Sequence, residues 1–140
     1  MGSRKTGALK ETVALALLPG AMLFAVHLFF IASHLYEWHF AWLDTPMHLV
    51  GGAVSAWAAW VFWLHLRRTR ALPELPGWFR DISVLGVVAI IGILWEFSEF
   101  LTDEIRATLL QGSVADTMKD FANDLLGAIF FLLAVRRRRP

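Results

Sequence analysis

The chain has no cysteine, a single tyrosine and few charges; Asp, Glu, Lys and Arg make up only 18% of its 140 residues. Without thiols it can form neither disulfides nor thiolate metal centres. It also lacks a G-x-S-x-G nucleophile elbow and an H-E-x-x-H zinc motif, so neither of those hydrolase chemistries has a sequence footing. There is no internal repeat, and no low-complexity tract beyond the C-terminal arginines. What fills the chain is apolar: 57% of it is hydrophobic, and mean hydropathy is +0.55. A soluble domain of this size could not cover so much apolar surface. The length suits one domain made of several membrane spans.

Four apolar segments stand out, at about 13–36, 46–66, 82–101 and 116–135. The first follows a basic N-terminus but is too long for a signal-peptide core, so it is read as a retained span; Pro19-Gly20 predicts a kink in it. The fourth has a purely apolar part only from Leu125 to Val135. A helix needs roughly 20 residues to cross a bilayer, so this one must begin near Asp116, which draws Asp116, Asp120 and Asp124 towards the membrane. The fold predicted is all-α: a polytopic bundle of four transmembrane helices.

The net charge of +1 hides a strong asymmetry. Arg4, Lys5 and Lys10 precede span one. Arg67, Arg68, Arg70 and Arg80 lie between spans two and three, and Arg136 to Arg139 end the chain. Only Arg106 and Lys119 fall on the other side. The positive-inside rule then makes both termini and the middle loop cytoplasmic. The expected location is the bacterial inner membrane, multi-pass, with membrane lipid as a partner, a homo-oligomer or larger membrane complex as a further one, and no nucleic acid. The arginine tail reads as an anchor to anionic lipid.

With this topology the polar residues converge. Asp44 and His48 share a face at the outer entrance of span two, and His34 lies near the outer end of span one with His27 two turns deeper. Glu96 and Glu99 close span three, with Glu96 on the order of 8 Å below its outer end. Asp116, Asp120 and Asp124 line one face of span four, with Asn123 beside them. A carboxylate facing lipid costs roughly 2.5–3.5 kcal/mol, so these groups must face one another, water or a cation. An oxygen and imidazole set without thiolates suits Mg²⁺, Mn²⁺, Ca²⁺, Zn²⁺ or iron, and facing helices of bundles build such sites. The predicted ligands of a divalent cation are Asp44, His48, Glu96, Glu99, Asp116, Asp120 and Asp124, with His34 and Asn123 in support. No catalytic residue is assigned.

Structural roles compete for several of these. Asp44 or Thr45 before Pro46 reads as a helix N-cap. Ser113 to Asp116 reads as a capping box, which accounts for Asp116 but not Asp120 or Asp124. Glu96 and Glu99 could pair with His34 or His48 for packing alone, and His27 could be a hydrogen-bonded core residue. Asp103 continues the face of Glu96 and Glu99, but with Glu104 it reads most simply as solvated loop. Interfacial anchoring and lipid contact account for the tryptophans, among them Trp38, Trp42, Trp57, Trp60, Trp63 and Trp78. Gly51, Gly52, Ala53, Ser55 and Ala56 offer a small-residue face one turn below His48, and Gly127 could act likewise below Asp124.

Three motifs carry a family resemblance: D-x-x-x-H-x-x-G-G (Asp44, His48, Gly51, Gly52), W-E-x-x-E (Glu96, Glu99) and D-T-x-x-D-x-x-x-x-x-x-G-A (Asp116, Thr117, Asp120, Gly127, Ala128). Together they resemble the bacterial YjdF-type (DUF2238-like) integral membrane proteins and, more distantly, VanZ-like proteins. The motifs cover about residues 44–128. The resemblance implies a longer parent architecture with more spans, and an envelope setting; it implies no reaction.

Three functions fit. One is a cation-dependent membrane enzyme acting on a lipid or lipid-linked group, the cation polarising a phosphate or ester oxygen and a remaining acid or His34 serving as base. The others are an ion-binding, transport-related protein and an accessory subunit of a larger membrane complex with a structural cation. A haem or chlorophyll fits less well, because carboxylates would crowd a hydrophobic macrocycle.

Overall fold

The computed structural model describes residues 2–33, 41–108 and 110–137. These form four helices, α1 (Gly2–Ala32), α2 (Asp44–Arg68), α3 (Gly77–Arg106) and α4 (Val114–Arg137), with one 3₁₀ turn (Ala41–Leu43) before α2 and no strand among the described residues. By length and apolar composition, α1 from Leu9, α2 and α3 can each cross a membrane. α4 is long enough but too charged to qualify on hydropathy alone.

The helix ends show which sequence signals act. Pro19 lies inside α1 without ending it. Pro46 falls in the first turn of α2, where its missing N–H would have had no partner in any case. The N-cap position belongs to Leu43, which makes no side-chain cap bond. This corrects the capping role expected of Asp44, which is already helical and so presents its carboxylate to the neighbouring helix. At α4 the cap is Ser113, whose Oγ accepts the Asp116 N–H at 3.2 Å. The return bond of a capping box is replaced: the Asp116 carboxylate takes Lys119 Nζ at 2.5 Å.

Asp103 also departs from expectation. It is not loose in solvent. Its carboxylate accepts Thr108 Oγ1 at 2.6 Å and the N–H groups of Leu110 and Gln111 at 2.8 and 3.0 Å. With Ala107 in the left-handed conformation, it folds the α3–α4 connection back on the end of α3.

Contacts between helices fix an up-and-down order. Thr12 of α1 bonds His65 near the end of α2 at 2.9 Å, so the two run antiparallel. Thr117 of α4 reaches Glu96, and Arg136 reaches Asp81, so α3 and α4 are antiparallel too. α2 and α4 run parallel and meet at backbone distance. A Cβ on Gly52 would overlap the Asp124 carbonyl, and one on Gly127 would overlap the Leu49 carbonyl. Only glycine permits that approach. Ala56, Trp60, Val84, Val88, Ala128 and Leu132 form the core between α2, α3 and α4, and α1 leans chiefly on α2.

The distribution of polarity is inverted relative to a soluble protein. Buried polar or charged residues include His27, His48, Glu96, Glu99, Asp120 and Asp124, whereas Leu15, Phe29, Ile82, Ile90, Leu94, Phe97 and Phe130 point outwards. Lipid is the solvent that tolerates this. At the end opposite those acids, Asp81 is buried between Arg80 (2.7 Å) and Arg136, and the Arg80 guanidinium lies 4.3 Å over Trp60. Trp60 is therefore a core residue rather than a lipid-facing one, and Arg80 has a structural role beyond topology.

Candidate functional site

α2 enters the bundle with Asp44 and His48 one turn apart on the face towards α4. α4 brings Asp120 and Asp124 alongside, with Asp116 a turn nearer its start, and α3 brings Glu96. One ligand atom each from Asp44, His48 and Asp120 lies within 4.8 Å of the others. Two ligands held about 2.3–2.6 Å from a Ca²⁺-sized ion lie about 5 Å apart only on opposite sides of it, so 4.8 Å is the wide limit for three ligands of one ion. A smaller ion would draw the three groups in by up to about an ångström.

His48 is the hub. Its Nε2 lies 3.6 Å from Asp44 Oδ1 and 4.0 Å from Glu96 Oε1, and its Nδ1 lies 3.4 Å from Asp124 Oδ2. The ring is only 6% exposed, and Asp120 and Glu96 only 2% and 4%. Thr117 Oγ1 donates to Glu96 Oε2 at 2.7 Å, leaving Glu96 Oε1 shielded and without a hydrogen bond. Asp120 Oδ1 is shielded as well; Lys119 Nζ stands 3.4 Å away but outside hydrogen-bonding geometry. Shielded acceptors with unused lone pairs are costly unless a donor or cation reaches them.

Glycines make room for Asp124. A Cβ on Gly92 would lie 2.7 Å from its Oδ2 and one on Gly51 3.9 Å from its Oδ1, while Gly52 receives its backbone. The pair Gly51-Gly52 thus serves two faces: Gly52 packs on α4, and Gly51 faces Leu23 of α1 at 3.6 Å.

The predicted residues do not all meet. Glu99 stands apart, bonded by Trp95 Nε1 at 2.8 Å and 4.0 Å from His27 Nε2. The Trp95 ring lies 4.4 Å from His27 and 6.3 Å from His48 between centroids, and so separates the two groups. Asp116 sits at the rim with Lys119. Asn123 is half-buried, its amide nitrogen shielded and unpaired. His34 lies outside the described residues.

Lys119 joins the carboxylates although charge patterning alone does not place it there. Its Nζ lies 2.5 Å from Asp116 and 3.4 Å from both Asp44 and Asp120. The i, i+3 spacing of Asp116 and Lys119 signals the pair, whereas the positive-inside pattern marks Lys119 only as one of two basic residues on the outer side. Ionised, Asp44, Glu96, Asp116, Asp120 and Asp124 carry more negative charge than Lys119 and an imidazolium can offset.

A family model described as "Predicted membrane protein (DUF2238)" matches residues 10–140. The chain belongs to this family. A protein of Thermotoga maritima, described as an uncharacterized protein, is 33% identical over 105 residues, which is 74% of this chain and 52% of that protein. The chain therefore spans about half the length of this relative. No solved structure matches. Membership places the carboxylate and histidine groups in a membrane protein, where lipid rather than water surrounds the bundle.

Proposed function

We propose that this protein holds a divalent cation between α2 and α4 near the outer face of the bacterial inner membrane, and uses it on a lipid or lipid-linked substrate. The observation that carries this reading is the convergence of Asp44, His48 and Asp120 within 4.8 Å. Glu96 and Asp124 adjoin through His48. A cation there would draw the shielded Asp120 oxygen into coordination and could polarise a phosphate or ester oxygen. All four helices span in this reading, with both termini and the arginine-rich loop cytoplasmic.

One observation favours a second reading. Lys119 already reaches three of the carboxylates. It could itself be the resident cation, leaving the protein a structural subunit of a larger membrane complex. The two readings part on Lys119→Met. If a metal is the resident cation, removing the lysine leaves or raises divalent metal retained by the purified protein, and Asp120→Asn abolishes it. If Lys119 is the cation, wild type and both variants retain no metal under metal-replete conditions, and Lys119→Met loses stability. That result would sink the metal site.

A further inference from the structure

A cavity of about 390 Å³ lies between α1, α2 and α3. One end carries Asp44, His48, Asp124 and His27; the rest is walled by residues such as Leu23, Val54, Val88 and Ile91. Small side chains keep it open. Gly20 of α1 has only Val54 near, at 3.9 Å, and Ala16, Ala21, Ser55 and Ala58 line the far end. These small residues do not bring α1 and α2 into backbone contact as Gly52 and Gly127 do for α2 and α4. Leu17, Phe24 and Ile91 line the cavity and are also 61%, 47% and 40% exposed, so its mouth opens sideways between α1 and α3.

We propose that this cavity takes one acyl chain of a bilayer lipid, entering from the side, with the lipid's polar group at Asp44 and His48. The proposal rests on the site described above and names its substrate class as an acyl lipid. Size decides between occupants. Over the roughly 16 Å from Ala16 to His27, a helix about 10 Å across takes up about 1,200 Å³, some three times the cavity, so a further helix does not fit. A hydrocarbon chain, which needs only about 4 Å between its carbons and the walls, does. An apolar cavity stays dry and accepts apolar guests, and here the surrounding solvent is itself hydrocarbon. The polar end sets the direction: the head lies by Met47 and Leu23, the chain end by Ala16 and Ala58.

The test uses the full chain in phospholipid vesicles doped with a phospholipid that carries a photoreactive diazirine on one acyl chain, near the head or at the chain end. Labelled residues are mapped by mass spectrometry. The head-proximal probe is expected on Leu23 and Met47, and the chain-end probe on Ala16 and Ala58. Gly20→Leu with Ala58→Leu fills the far end, so cavity labelling by the chain-end probe is lost while that of outward Ile90 and Leu133 persists. Labelling that ignores probe position, cavity walls that stay unlabelled, or cavity labelling by a prenyl probe in place of the acyl one overturns the proposal. The wild-type position dependence needs no substitution and so does not depend on the variant folding. Labelling needs no metal, so its failure and a failure of metal retention are read separately.

Discussion

Replacing Gly52 with alanine drives a methyl group into the backbone of α4. The new Cβ would overlap the Asp124 carbonyl oxygen and lie 2.6 and 2.7 Å from its carbonyl carbon and Cα. None of these atoms can rotate away, so the helices must part. Overpacking of a core costs about 1–3 kcal/mol where side chains can give. Here the obstacle is backbone along the broadest helix contact, and separation forfeits dispersion over its whole length, so a loss of about 3 kcal/mol or more is expected. Gly51→Ala is the control one residue away. Its Cβ meets Leu23 Cδ2 at 3.6 Å and Asp124 Oδ1 at 3.9 Å, ordinary contacts, while alanine gains about 1 kcal/mol in helix propensity over glycine. That variant should be neutral or slightly more stable. SDS titration of the protein in mixed micelles, followed by circular dichroism, measures both. Equal stabilities for the two variants would refute the close α2–α4 packing. Gly52→Ala should also lose metal, because parting the helices pulls Asp44 and His48 away from Asp120.

Asp81→Asn should cost about 3 kcal/mol, because it leaves Arg80 buried without its carboxylate; Arg136→Ala, at a side chain more than half exposed, should cost under about 1 kcal/mol, both read by the same titration. Thr117→Val removes the one hydrogen bond that the Glu96 carboxylate accepts among the described residues and should cost about 1–2 kcal/mol, with weaker metal retention measured by elemental analysis. Ser113→Ala should cost about 1 kcal/mol and speed amide exchange at Asp116, as loss of an N-cap does. A topology reporter fused at Arg70 should appear on the cytoplasmic side; an external position would reverse the orientation.

Hydropathy made α1, α2 and α3 legible, because twenty-residue apolar runs have few alternatives. The shared face of Asp44, His48, Glu96 and Asp120 was legible from helical spacing combined with alternating direction. Spacing could not divide Glu99 from Glu96. They share a helix face, but Trp95 one turn before Glu99 bonds it, and His27 of α1 packs on that ring, which sets Glu99 apart from His48. Neighbouring glycines pose the same problem: Gly51 and Gly52 point about 100° apart on a helix, and only the packed structure shows which meets α4 and which meets α1. Asp81 falls just before the segment that hydropathy marks as span three; its pairing with buried Arg80 and with Arg136, 55 residues later in the chain, shows only in the packed structure. Local sequence shows helix, face and depth, whereas pairings between distant helices are decided by fit.

α4 joins these two levels. Its first half carries Asp116, Lys119, Asp120 and Asp124, and each carboxylate placed in lipid costs roughly 2.5–3.5 kcal/mol. An isolated α4 would not insert on its apolar C-terminal half alone. Asp120 and Asp124 escape that cost because α2 comes close enough to bury them, and it comes close because Gly52 and Gly127 carry no side chains. The glycines and the carboxylates are therefore one device. The small residues admit the charged face of α4 against His48, and the charges in turn require that the small residues be there. In the proposed topology, where α4 crosses the membrane, its charged face is covered by α2 and α3 rather than by lipid.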